Sequence, residues 1–184
     1  MKFLIIFLVT LGFTPFLLAK NIGNEGDTTY VAGMSVFYYN QATESGSGPG
    51  GHATHTIYDL KAGRASNKGL YLGVIYSSRN DDLAGAAAAG SHLGASIGYF
   101  GRSGLHAVAH YIAAASLGSA GGFTKGTGLQ ADFGYLASAT SNFFIGVDIS
   151  YRSISYQEQG GVALASPFKQ TELFPMLSFA FTLM

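Results

Sequence analysis

The sequence predicts an all-β chain of eight antiparallel strands closing as an up-and-down barrel, on three observations. Apolar residues make up 48% of the chain, yet beyond residue 18 no apolar run reaches the roughly 20 residues of a membrane-spanning helix. From residue 20 onward, apolar residues alternate with small or polar ones at the period of two that belongs to strands. The connections between these alternating segments are long and short by turns. Composition agrees: 26 Gly, 14 Phe and 11 Tyr, with only 11% charged residues, suit turn-rich β-structure better than a soluble domain, where charged residues make up about 25%.

The chain opens with Lys2, an apolar run over 3–9, a second over 11–18 interrupted by Thr14 and Pro15, and Ala19 before Lys20. That order predicts a removable secretory signal peptide over 1–19, although Leu17 is bulkier than the small residue preferred two positions before the cut. Residues 20–184 then form a single domain, with no linker to divide them.

The eight expected strands are 28–40, 53–62, 69–78, 91–100, 105–117, 127–138, 143–156 and 171–184. Each suffices to cross a bilayer as a tilted strand, which takes about 9–11 residues. The connections at 41–52, 79–90, 118–126 and 157–170 are long, whereas those at 63–68, 101–104 and 139–142 are short. All the long ones therefore fall at one end of the barrel. Glycine, serine and asparagine supply the turn chemistry at 101–104 and 139–142, and glycine loosens 46–51 and 118–122. The four alanines at 86–89 could form a helical turn in the second long connection.

Charge decides which face looks inward. In 143–156, Phe143, Ile145, Val147, Ile149 and Tyr151 share one face, while Phe144, Gly146, Asp148, Ser150 and Arg152 share the other. Leu129, Ala131, Phe133 and Tyr135 likewise oppose Gln130, Asp132 and Gly134; Tyr58 and Leu60 oppose Asp59 and Lys61; Leu173, Leu177, Phe179 and Phe181 oppose Glu172, Ser178 and Thr182. A lipid-facing Arg or Lys near the bilayer midplane costs about 2–4 kcal/mol. These charges therefore belong in the lumen of a transmembrane barrel, and the apolar set faces lipid. A soluble barrel would instead bury the apolar set, but the low charge content and the small Gly134, Gly146 and Ser150 beside the charges suit a narrow, crowded lumen. Tyr30, Tyr38, Tyr76, Tyr99, Tyr135, Tyr151 and Tyr156 sit where interfacial girdles are expected.

Several classes fall away. A formal charge of zero with scattered Lys and Arg lacks the footprint of a nucleic-acid binder. The absence of cysteine excludes disulfides, Cys-ligated metals, thiol catalysis and a lipidated cysteine anchor.

On this architecture, and on the terminal stretch Leu173-Phe174-Pro175-Met176-Leu177-Ser178-Phe179-Ala180-Phe181-Thr182-Leu183-Met184, the chain resembles the small outer-membrane barrels of Gram-negative bacteria of the OmpX/Ail, OmpW and OmpA transmembrane-domain kind. The resemblance implies short periplasmic turns, longer extracellular loops and both termini in the periplasm. It further implies contact with outer-membrane lipid and lipopolysaccharide, and assembly by the barrel-assembly machinery through the last strand. The chain departs from the pattern by ending on Thr182, Leu183 and Met184 rather than on an aromatic residue, and by Pro175, which removes a ladder donor and predicts a local break or bulge.

The polar residues expected inside are Asp59, Lys61, His106, His110, Gln130, Asp132, Asp148, Arg152 and Glu172. The short turn at 139–142 should bring Asp132 and Asp148 together at mid-depth, with His110 close by. Two adjacent acids in a low-dielectric lumen require a cation or a shared proton, which Arg152, Lys61 or protonated His110 could supply. An eight-stranded barrel is just wide enough for its own side chains, so such a network closes it to solutes. Neither a catalytic nor a cofactor site is expected. Some small outer-membrane barrels modify lipid A, but Ser91 with His92, or His110 with Ser116, form no recognisable motif, and a packed lumen is a poor place for an acyl substrate. Glu44 and His52 in the first long connection, with His55 just beyond it, read as solvated residues rather than metal ligands, and 46–51 lacks the Lys and the following helix of a phosphate loop. The expected function is a structural or surface-interaction barrel. The alternatives are a narrow pore or hydrophobic-ligand conduit, and a lipid A-modifying enzyme.

Overall fold

Alternating sequence makes long strands here. The computed structural model of the chain describes residues 29–183 without 46–47, 84–85 and 119–121, and along 42–52 and 83–87 it describes the backbone alone. The expected signal peptide and the side chains of Glu44 and His52 lie outside the described residues. The strands are β1 (Thr29–Ser45), β2 (Gly48–Ala65), β3 (Leu70–Leu83), β4 (Ala86–Phe100), β5 (Leu105–Leu117), β6 (Phe123–Ser138), β7 (Phe143–Gln159) and β8 (Val162–Leu183). Each pairs antiparallel with its neighbours in sequence, and β8 closes the ring on β1.

The tight connections at one rim follow the expected turn chemistry. Gly69 and Gly104 adopt φ of 87° and 91°, a conformation open to glycine at little cost, and at 139–142 the Thr140 hydroxyl accepts the Phe143 amide at 3.2 Å. At the other rim the structure corrects the long loops. The residues at 41–45 and 48–52 extend β1 and β2, 79–83 extend β3, and 123–126 and 162–170 extend β6 and β8. Ala86–Ala89 begin β4 rather than forming a helical turn. Polar and small residues keep the strand period in these stretches, so the ladders continue where the apolar signal ends.

Register around the ring sets the barrel's proportions. Tyr30 leads through Arg64, Leu72, Ile97, Ala109, Ala131 and Tyr151 to Leu173. The partner of Tyr30 on β8 is Leu183, so the stagger is the ten residues between Leu173 and Leu183. With standard strand spacing and rise, eight strands with that stagger tilt by about 40° and enclose a backbone radius of about 8 Å.

The two faces separate as expected. Outward residues form an uncharged belt that includes Leu60, Leu72, Val74, Ile97, Leu129, Phe133, Val147, Ile149 and Leu177, each largely exposed. Tyr30, Tyr99 and Tyr135 edge it near the tight-turn rim, and Tyr38, Tyr58, Tyr76, Tyr111 and Tyr151 near the other. Tyr156 departs from the expected girdle: it is buried inside, beside Phe123 and Phe168.

Pro175 produces no bulge. Its pairing with Ile149 of β7 continues in register. On the other side of β8 the ladder to β1 stops at Val36 and Leu177, two residues short of the proline.

Candidate functional site

The candidate site is the barrel interior, which is layered. Nearest the tight turns, Val31, Ala65, Tyr71, Val108, Leu136, Phe144 and Ala180 pack with Phe100 into an apolar layer. Tyr71 lies flat against the wall because Gly63 and Gly73 leave room for its ring; a Cβ at either would collide with it. Its edge meets Phe100 at 5.4 Å, and Phe100 stacks on His106 at 5.2 Å.

Above this layer, the period of two on β2, β5, β6 and β7 points Lys61, His106, His110, Asp132 and Asp148 to the axis. Lys61 Nζ sits 2.6 Å from Asp132 Oδ2 and 3.4 Å from Asp148 Oδ2, and donates to Ser35 Oγ at 3.1 Å. One ammonium therefore serves both acids. His106 Nε2 lies 2.9 Å from Asp148 Oδ1, and Ser178 donates to Asp148 Oδ2 at 2.6 Å. His110 Nε2 lies 3.0 Å from Asp132 Oδ2, while its Nδ1 meets Ser96 Oγ at 2.7 Å.

Arg152 is occupied elsewhere. Its Nη2 donates to both oxygens of Asp59 at 3.0 and 3.2 Å, its Nε donates to Gln130 Oε1 at 2.9 Å, and its guanidinium lies 5.1 Å from the Phe174 ring centre. Gln130 joins the two groups, its amide nitrogen donating to Asp59 at 2.8 Å and Asp132 at 3.0 Å. Glu172 stands apart from this cluster: Arg79 Nη1 reaches it at 2.5 Å and Arg79 Nε reaches Asp81 at 2.5 Å. His55 Nδ1 completes the upper group, 3.0 Å from Asp81.

Sequence reasoning missed Arg79 and Asp81, because 79–90 read as a loop, and it took His55 for a solvated side chain. A signal was present: Arg79 and Asp81 continue the inward positions of Ile75 and Ser77. His92 is a further buried residue that lay outside the expected set.

Ser96, His110 and Asp132 form a Ser-His-Asp hydrogen-bond chain of the kind that activates a nucleophile. Here all three are buried, and Lys61 also engages Asp132. Ser116 meets Ser91 rather than His110. Two interior cavities, of about 10 Å³ beside Ser77 and His92 and about 30 Å³ beside His106 and Asp148, hold no more than a water or two. Among the described residues no group of three or more His, Asp or Glu is arranged to hold a metal ion.

This fold, an eight-stranded up-and-down barrel with an apolar outer belt and charged groups within, is that of the small outer-membrane β-barrels. Among solved structures, the chain is similar to Neisserial surface protein A, with a TM-score of 0.50 and 19% identity over 86% of this chain and 100% of that one. At this identity the likeness speaks for the fold. No protein-family profile matches the chain. No curated protein matches it either.

Proposed function

We propose that the chain is an integral outer-membrane β-barrel with a structural or surface-interaction role and no catalytic activity of its own. The observation that carries this is the belt: exposed leucine, isoleucine, valine and phenylalanine side chains on successive strands, edged by tyrosines, while Asp59, Lys61, Asp132, Asp148 and Arg152 face inward. In water such a belt exposes far more contiguous apolar surface than soluble proteins tolerate; in a bilayer it is matched to hydrocarbon. Thr29 and Leu183 lie at the tight-turn rim, which in such barrels is periplasmic. The paired extensions at the opposite rim then stand on the cell surface, where they would meet lipopolysaccharide or other cells.

The interior network reads as a plug. Its charged groups are mutually paired, and the apolar layer around Tyr71 and Phe144 closes the periplasmic end. The enclosure of Ser96 by the wall argues against hydrolysis of a lipid at the Ser-His-Asp chain.

Expression with fractionation tests the location. The protein is expected in the outer-membrane fraction, with gel mobility that changes on boiling as the barrel unfolds. Recovery solely from the soluble periplasm would defeat the proposal.

A further inference from the structure

The wall of the barrel is not paired along its whole height. β1 remains paired with β2 as far as Ser45 and β8 with β7 as far as Val162, but the ladder between β1 and β8 ends at Val36 and Leu177. Beyond that point the two strands present facing edges with no shared ladder.

The sequence of β8 accounts for the stop. The Thr182 amide donates toward Asn142, on the β7 side, and the Phe179 carbonyl lies against Gly33 of β1. Even-numbered residues of this stretch therefore direct their backbone groups to β7, and odd-numbered ones to β1. Pro175 is odd-numbered, so the N–H it lacks is the next donor β1 would have received. Lys169 is on the same edge further up, a residue that discourages the docking of a foreign strand.

The split begins inside the belt. Leu173 pairs across from Tyr151, one of the tyrosines at the belt's upper border, so the β8 edge between Leu177 and Leu173 lies at hydrocarbon depth. On the inner side the opening is backed by Phe37 and Phe174, whose ring centres are 5.2 Å apart across it, with Met176 and Ile57 packed behind. On the outer face directly below, Ala32, Met34, Phe143, Phe179 and Phe181 line a shallow groove of about 350 Å³ that runs along the same seam.

We infer that the upper β1–β8 seam is a binding site for one acyl chain of a membrane lipid in the extracellular leaflet, which passes down through the split against Phe37 and continues into the groove below it. The side chains that line the groove and back the split are hydrocarbon. Pro175 leaves one donor fewer to go unsatisfied in lipid, and Phe37 with Phe174 keeps the tail in the wall and out of the lumen. The inference rests on the membrane reading above.

The chain has no tryptophan, so single substitutions give clean fluorescent reporters. In vesicles whose lipids carry an acyl-chain nitroxide, Leu177→Trp on the outer belt reports the membrane reading by itself. If it is quenched, Phe37→Trp is expected to lose emission nearly as strongly, whereas Phe100→Trp, inside the lumen in the layer below the split, is expected to keep its emission. Adding Pro175→Val restores the donor and lets the seam pair further, and should protect Phe37→Trp. Each variant is first checked for barrel formation by heat-modifiable mobility. Quenching of Leu177→Trp without that of Phe37→Trp would overturn the assignment, as would equal quenching of Phe37→Trp with and without Pro175→Val, or protection of Phe37→Trp in a species that crosslinks as a dimer.

Discussion

Asp59 and Arg152 show how single residues are committed inside this barrel. Arg152 spends its hydrogen bonds on Asp59 and Gln130, and both charged side chains are almost wholly buried. Removing one member of such a pair leaves the other charge stranded, which typically costs about 3–5 kcal/mol. Asp59→Ala is therefore expected to lower the urea stability of the vesicle-folded barrel by roughly that amount. An Asp59→Ala, Arg152→Ala double variant should lose less than the sum of the single losses. On the outer face the sign of charge tolerance reverses. Phe133→Arg, in the belt, should cost about 2–4 kcal/mol in the same measurement. The inward assignment of these residues was legible from the period of two. Which cation meets which acid was not: Lys61, Arg152 and His110 were equal candidates, and the choice was made by the ten-residue stagger that carries Arg152 to Asp59 and Lys61 to Asp132, between residues far apart in sequence.

At the scale of elements, the strand cores and tight turns could be read because apolar alternation and turn residues coincide there. The upper strand ends could not: Arg79-Asn80-Asp81-Asp82 are polar on both faces, and in 162–170 the apolar face of Val162, Leu164 and Phe168 is broken by Ser166 and followed by Pro167, so the alternation is too weak to read although pairing continues. Energetically these ends differ from the body. Most residues of β8 from Val162 to Lys169 are exposed, while Phe168 still stacks on Phe123 at 4.3 Å and Tyr156 is buried beneath. Excising 159–165 and closing the hairpin between Glu158 and Ser166 with Asn-Gly, a turn suited to two-residue connections, removes exposed ladder and keeps that aromatic cluster. The unfolding midpoint in urea is expected to stay unchanged. A marked fall would show that the protruding hairpin contributes to the barrel rather than standing above it.

For the whole molecule, strand number and stagger leave a lumen that side chains can fill, and they fill it in layers of different chemistry. The charged middle invites a conduit reading, but a path for ions must also cross the layer of Val31, Tyr71, Val108, Leu136 and Phe144, where the Tyr71 hydroxyl alone cannot replace an ion's hydration shell. Closure therefore has two independent causes, and removing one should leave the other intact. Asp132→Asn with Asp148→Asn releases Lys61 from its acids and loosens the middle, yet planar bilayers containing this variant are expected to show no discrete openings. The same holds for the unaltered chain. Adding Tyr71→Ala removes the large ring that covers Gly63 and Gly73, and only this triple variant is expected to pass small ions. Openings in the double variant would mean that the ion network alone closes the lumen, and the conduit reading would then replace the plug.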